Sequence, residues 1–164
     1  MELSEAITTI DSFVVNPRRG LPEDLFLLIS RLTPLINVDL LIHDEAGRTL
    51  LTWRDDEFFG AGWHLPGGII RYKELATDRV RACGLDELGA EVAFEPLPIL
   101  VSETIRERND RGHFISLLYL CRLVSPLDES RRACSDPPAA GAWQWHIECP
   151  LNLLDVQSQY ARFF

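Results

Sequence analysis

The chain has 164 residues, 46% of them hydrophobic and 25% charged, which suits one domain with an ordinary core and excludes a disordered acidic tail. A formal net charge of −9 excludes sequence-blind binding to nucleic acid, which needs a broad cationic surface. It leaves room for a small anionic ligand, because one magnesium ion or a few local arginines reverse the field inside a cleft.

The predicted elements begin with two short helices. Ile7, Ile10, Phe13 and Val14 fall at spacings of three and four and make one helical stripe over 4–14. Asn16 to Gly20 breaks the chain, and Pro22, Glu23 and Asp24 start a second helix that Pro34 closes near Leu32. The period then changes to two. Ile36, Val38, Leu40 and Ile42 alternate with Asn37, Asp39 and His43, the pattern of a half-buried strand over 35–43. A turn at 44–48 leads into a strand over 49–54, and a loop over 55–61 precedes the run Gly62 to Gly68. His64, between Trp63 and Leu65, reads as a strand residue and not as a catalyst. A helix is predicted over 74–88, strands over 92–94, 99–103 and 113–123, and an irregular proline-rich loop over 124–142. A short strand at 143–147 and a helix at 151–163 end the chain, with at least one of Trp143 and Trp145 in the core.

Cys83, Cys121, Cys134 and Cys149 show no C-x-x-C spacing, so buried thiols are expected in place of disulfides or zinc ligands. The acidic, amphipathic start over 1–10 is neither a signal peptide nor a membrane span, and a cytoplasmic protein without membrane partners is expected. Strands with one central and one C-terminal helix suggest an α+β or α/β sandwich.

Residues 67–89 carry the chemistry. Gly67 and Gly68 let the backbone approach a bound ion or phosphate closely. Asp86 and Glu87 lie near a helix C-terminus, where acids are electrostatically disfavoured, so a cation partner is expected. Oxygen donors of this kind suit magnesium bridging to substrate phosphates.

The segment resembles the Nudix box, G-x5-E-x7-R-E-U-x-E-E-x-G-U with U aliphatic: Gly68, Glu74, Asp86, Glu87 and Gly89 match fixed or acidic positions. Ala82 and Cys83 stand for the paired R-E, and Gly84 for the aliphatic residue after it. The chain also resembles a subgroup that lacks the same glutamate, the GDP-mannose mannosyl hydrolases, over nearly everything after residue 20. That likeness includes Thr33 to Leu35, Asp39, Leu50 to Arg54, Trp63 to Gly68 and Gln157 to Phe163.

The resemblance implies an α/β fold, a Nudix α/β/α sandwich with a mixed sheet, over 21–164, preceded by an N-terminal helical extension at 1–20. It implies Glu87 and the Gly67 carbonyl as ligands of Mg2+, Arg54 on the diphosphate, Asp39 on a sugar and Phe26 near a guanine base. Asp86 either restores a ligand or caps the helix, and Glu74 either serves catalysis or is a solvated acid at the helix start. Homodimers are implied as well.

Four implied groups are missing. Ile69 and Ala82 stand where arginines are expected, and residues 126–141 contain neither the expected magnesium-ligating glutamine nor the base histidine; their only carboxylates are Asp128, Glu129 and Asp136. The expected function is magnesium-dependent hydrolysis of a nucleoside diphosphate linked to another moiety, with a GDP-sugar favoured. Attack at the sugar carbon or at phosphorus stays open. A non-catalytic module that binds a nucleotide sugar is the alternative.

Overall fold

A computed structural model describes residues 2–164. Helix α1 (Leu3–Ser12) buries none of its residues, and its apolar positions Leu3 and Ile7 are exposed. A 3-10 turn at Pro17–Arg19 leads to α2 (Glu23–Ser30). Strand β1 (Leu35–Ile42) then enters the centre of a five-stranded sheet. Its apolar residues face both ways. Val38, Leu40 and Ile42 pack with Val80, Cys83 and Leu88, and Leu41 packs with Leu51, Trp53, Trp63 and Tyr160. A strand covered on both faces keeps polar positions rare, which explains why the alternation after Asn37 fades into a continuous buried run.

The sheet is mixed. Strand β7 (His113–Leu123) runs parallel to β1, and β4 (Gly67–Ile69) runs antiparallel along its other side. Strands β5 (Val92–Phe94) and β6 (Leu100–Ile105) pair antiparallel with β7. A second sheet joins β2 (Thr49–Asp56) to β3 (Gly60–His64) and β8 (Trp143–His146). Helix α3 (Ala76–Leu88) covers one face through Val80, Cys83 and Leu88. The C-terminal segment Asp155–Phe163 covers the other through Tyr160. The α/β sandwich with a mixed sheet expected from the sequence is therefore the observed architecture.

Several boundaries differ from the sequence reading. Helix α3 begins at Ala76, so Glu74 lies in the turn before it. The C-terminal segment is a 3-10 helix. Gly60 and Ala61, read as the end of a loop, belong to a strand that runs to His64, because β2 pairs along it with Trp53 opposite Trp63. Cys83 and Cys121 are buried thiols, whereas Cys134 is exposed and Cys149 half-buried. Among the described residues, no helix is long and apolar enough to cross a membrane.

Helix α3 stops at Gly89, whose φ of 63° is the left-handed cap conformation that glycine adopts without penalty. A Cβ there would meet Asp128 Cβ at 2.7 Å, so the glycine also lets the loop over 124–142 cross the end of the helix. That crossing puts the loop beside Asp86 and Glu87.

Candidate active site

Glu87 occupies the point where α3, β2 and β4 converge. Its Oε1 accepts from the Gly67 N–H at 3.1 Å, and its Oε2 accepts from Thr52 Oγ1 at 3.2 Å. Burial pushes its carboxyl up to about 7, against the Gly67 N–H and the positive charge of Arg54, which both favour ionisation. Among the described residues no cation lies within salt-bridge distance of it.

The register of β4 explains how its backbone reaches this carboxylate. Leu40 N–H donates to Pro66 and Ile70 N–H to Ile36, so the pairs 36/70, 38/68 and 40/66 carry the ladder. Asp39 and Gly67 form the intervening pair, whose peptide groups point away from the partner strand. As β4 is the edge strand, the Gly67 N–H and C=O both face outward, and the N–H meets Glu87.

Thr52 lies opposite His64 across β2 and β3. The His64 Nδ1–H donates to the Leu65 carbonyl at 2.7 Å, which leaves Nε2 as an acceptor for the Thr52 hydroxyl, 3.1 Å away. That hydroxyl has one proton and two acceptors, His64 Nε2 and Glu87 Oε2. A protonated Glu87 resolves the conflict by donating to Thr52, and burial favours that form. Burial and nearby Arg54 lower the His64 pKa to about 3, so it stays neutral and orients Thr52.

Glu87, Thr52, His64 and Arg54 face a cavity of about 660 Å³ that the loop over 124–142 closes. The loop is tied to β2 by bonds from Trp53 N–H to Ala142 and from Gly141 N–H to Trp53. It brings in Arg131 and Arg132; Arg131 also donates to the Asp86 carbonyl at 2.6 Å. Asp86 lines the same cavity.

A second, 70 Å³ cavity lies on the other side of Arg54 and is lined by Asp39, Gly67 and Ile69. Asp39 accepts from Tyr160 at 2.6 Å and from Gln157 at 3.1 Å, and burial pushes it up to about 6. Gln157 also accepts from the Leu65 N–H, so the C-terminal segment locks β1 to the chain entering β4.

The sequence-derived candidates are thus divided. Glu87, Asp86 and Arg54 share the large cavity, and Asp39, Gly67 and Arg54 share the small one. Phe26 lines a third, apolar cavity of 400 Å³ against Ile69 and Tyr72. Glu74 lines none of them: both its oxygens bind Arg79, at 2.7 and 2.9 Å. Thr52 and His64 stood within the runs of resemblance but were given no role, and Arg131 and Arg132 carried no motif; strand register and the loop over 124–142 bring them to Glu87.

Gly67 has no room for a side chain, because a Cβ would lie 2.4 Å from the Val38 carbonyl and 2.8 Å from Asp39 Oδ1. Gly67→Ala is expected to cost about 2 kcal/mol in urea denaturation, because the neighbour that must move is sheet backbone.

No protein-family model matches the chain. A curated relative, the low-salt glycan biosynthesis protein Agl8 of Haloferax volcanii, is 35% identical over 80 residues, 49% of this chain and 51% of that protein. The chain's match thus spans about half the length of that relative. Among solved structures, a MutT Nudix hydrolase of Burkholderia pseudomallei superposes with a TM-score of 0.62 at 22% identity, over 79% of this chain and 97% of the other. A possible asymmetric diadenosine tetraphosphate hydrolase of Jonesia denitrificans gives 0.61 at 22% identity, over 80% and 92%. A UDP-X diphosphatase gives 0.57 at 15% identity, over 98% and 87%. The fold is that of the Nudix hydrolases.

Proposed function

We propose that the chain is a magnesium-dependent hydrolase of a nucleoside diphosphate linked to another moiety, with a GDP-sugar as the favoured substrate. One observation carries this reading: a half-buried carboxylate, Glu87, shares a 660 Å³ cavity with three guanidinium groups, Arg54, Arg131 and Arg132, and with Asp55, Asp56 and Asp86. Guanidinium groups and carboxylates facing one space suit an anionic ligand that arrives with its own cation. The glycan-biosynthesis name of the Haloferax relative supports a sugar-linked substrate.

The donor set fits magnesium in one mode only. Among the described residues no group of three His, Cys, Asp or Glu side chains could hold a metal by itself. Cys83 is buried, its thiol is pushed up to about 12, and it packs beneath Gly68, so it is no ligand. Magnesium, however, is commonly held by one or two carboxylates, waters and substrate phosphates. Glu87 and the outward Gly67 carbonyl would supply the protein's share, and the ion would neutralise charge on the departing diphosphate.

The chain's own groups do the rest. Thr52 and His64 hold Glu87 in one orientation, and Arg54 stands between the two cavities, where it can bind oxygens of both phosphoryl groups. Asp86, in the cavity wall, is the carboxylate placed to take a proton from attacking water; Glu74 is committed to Arg79.

Incubation with GDP- and ADP-linked sugars and magnesium tests the reading. Free sugar with nucleoside diphosphate reports attack at carbon, and sugar phosphate with monophosphate reports attack at phosphorus. Binding of the nucleotide sugar without either product pair replaces the enzyme with a binding module, a reading that the missing loop histidine favours.

A further inference from the structure

The turn between β6 and β7 carries a group that the proposed chemistry does not use. Arg111 takes a φ of 52°, rare for a residue with a side chain, and its N–H donates to the buried Ser30 hydroxyl on α2 at 3.0 Å. Its guanidinium lies 4.9 Å from the ring centres of both Phe58 and Phe59 and 5.6 Å from that of Phe26. Aromatic faces orient a guanidinium without satisfying its in-plane N–H donors.

Those donors lack partners. The Arg111 Nε is buried with no hydrogen-bond partner, and among the described residues no carboxylate lies within salt-bridge distance of the group. Arg54 and Arg108 lie over the same Phe59 ring, at 5.2 and 5.1 Å. Asp56 lies 3.1 Å from the Arg54 Nε and offsets part of this positive charge, yet burial together with the nearby Arg54 still pulls the Arg111 pKa down. A buried, unsatisfied donor among like charges marks a place for an anion.

Arg111 and Arg54 share the 70 Å³ cavity beside Gly67, which has room for a compact oxyanion but not for a nucleoside. Asp39 in its wall has both oxygens engaged by Gln157 and Tyr160. We infer that Arg111 and Arg54 form an oxyanion subsite that takes one phosphoryl group of a diphosphate whose other phosphoryl group lies in the Glu87 cavity. This assignment rests on the nucleoside diphosphate reading, but its test does not require turnover.

The probe is inorganic pyrophosphate in chelator-containing buffer, titrated by calorimetry. Arg111→Met keeps the stem against the rings and removes the charge; it is expected to weaken binding about ten- to a hundredfold. Ile69 faces the same cavity from β4, so Ile69→Arg in the Arg111→Met background should restore part of the affinity. A purely structural role for Arg111 would not produce that rescue. In the wild-type chain the Arg111 Nε–H resonance should move as pyrophosphate is added, which decides the matter even if the variants unfold. Failure to bind pyrophosphate, or binding that leaves this resonance in place, overturns the subsite. Pyrophosphate binding through Arg111 without hydrolysis of any nucleotide sugar keeps the subsite and removes the enzyme reading. Hydrolysis with unaltered kinetics in a folded Arg111→Met does the reverse.

Discussion

Glu87→Gln is expected to lower turnover of the nucleotide substrate by about 10³-fold, the equivalent of roughly 4 kcal/mol of lost transition-state stabilisation. The amide keeps the size and can still accept from the Gly67 N–H, but it removes the carboxylate beside the Gly67 backbone that would hold a cation. Unchanged kcat would end the assignment of Glu87 as the metal ligand. The same substitution has a second consequence, visible without substrate. With the folded pKa at about 7 against an ordinary 4.5, the folded protein retains a proton that the unfolded chain has already released. The wild type therefore loses stability as pH rises from about 4.5 to about 7, by about 1.4 kcal/mol per unit and about 3 kcal/mol in all. Asp39, raised from 3.8 to about 6, acts in the same direction. His64, lowered from 6.5 to about 3, acts in the opposite one, because below pH 6.5 the unfolded chain binds its proton first. The difference between variant and wild type isolates Glu87. In chelated buffer, Glu87→Gln should gain about 3 kcal/mol on the wild type between pH 4.5 and 7, read from urea melts. A difference that stays constant with pH would remove the buried-carboxylate account.

Glu74→Ala is expected to destabilise the fold by about 3 kcal/mol, because it leaves a buried guanidinium unpaired. The Arg79 side chain is only 6% exposed and binds Glu74 through two nitrogens. Glu74 also accepts from the Arg71 N–H at 2.8 Å, so the pair ties the exit of β4 to α3. The double variant Glu74→Met, Arg79→Met should be more stable than Glu74→Ala, since burying two apolar chains avoids desolvating an unpaired charge. Chemical denaturation of the three variants measures this, and additive losses would refute the coupling. Activity at a temperature where Glu74→Ala is folded should fall far less than in Glu87→Gln.

The legible parts of the fold are those with a local period or a local breaker. Alternating Ile36, Val38, Leu40 and Ile42 marked β1, and the apolar residues spaced over 74–88 marked α3. Strand β3 had no such signal. Gly60, Ala61 and Gly62 have little β propensity, and the segment is a strand because β2 pairs with it. Gly62 is also required there, since a Cβ would sit 2.6 Å from the Asn152 carbonyl. The C-terminal segment carried a helical pattern, yet its geometry is bound up with anchoring Gln157 and Tyr160 on Asp39, a partner 118 and 121 residues away in the chain.

The candidate site divides along the same line. Gly67, Gly68, Glu74, Asp86 and Glu87 stood out by spacing within one segment, and the sequence by itself determined that this segment would be a glycine pair leading to an acidic helix end. It could not determine which glutamate would be neutralised. Tertiary structure decided that Glu74 meets Arg79, whereas Glu87 is enclosed by Thr52, Gly67 and the loop over 124–142. It also decided that Arg54, Arg111 and Arg131, drawn from three distant segments, face the cavities beside it. The physical reason is that spacing sets which way a side chain leaves its own helix or strand. The reactivity of a carboxylate depends on its desolvation and on the charge that other segments bring within a few ångströms.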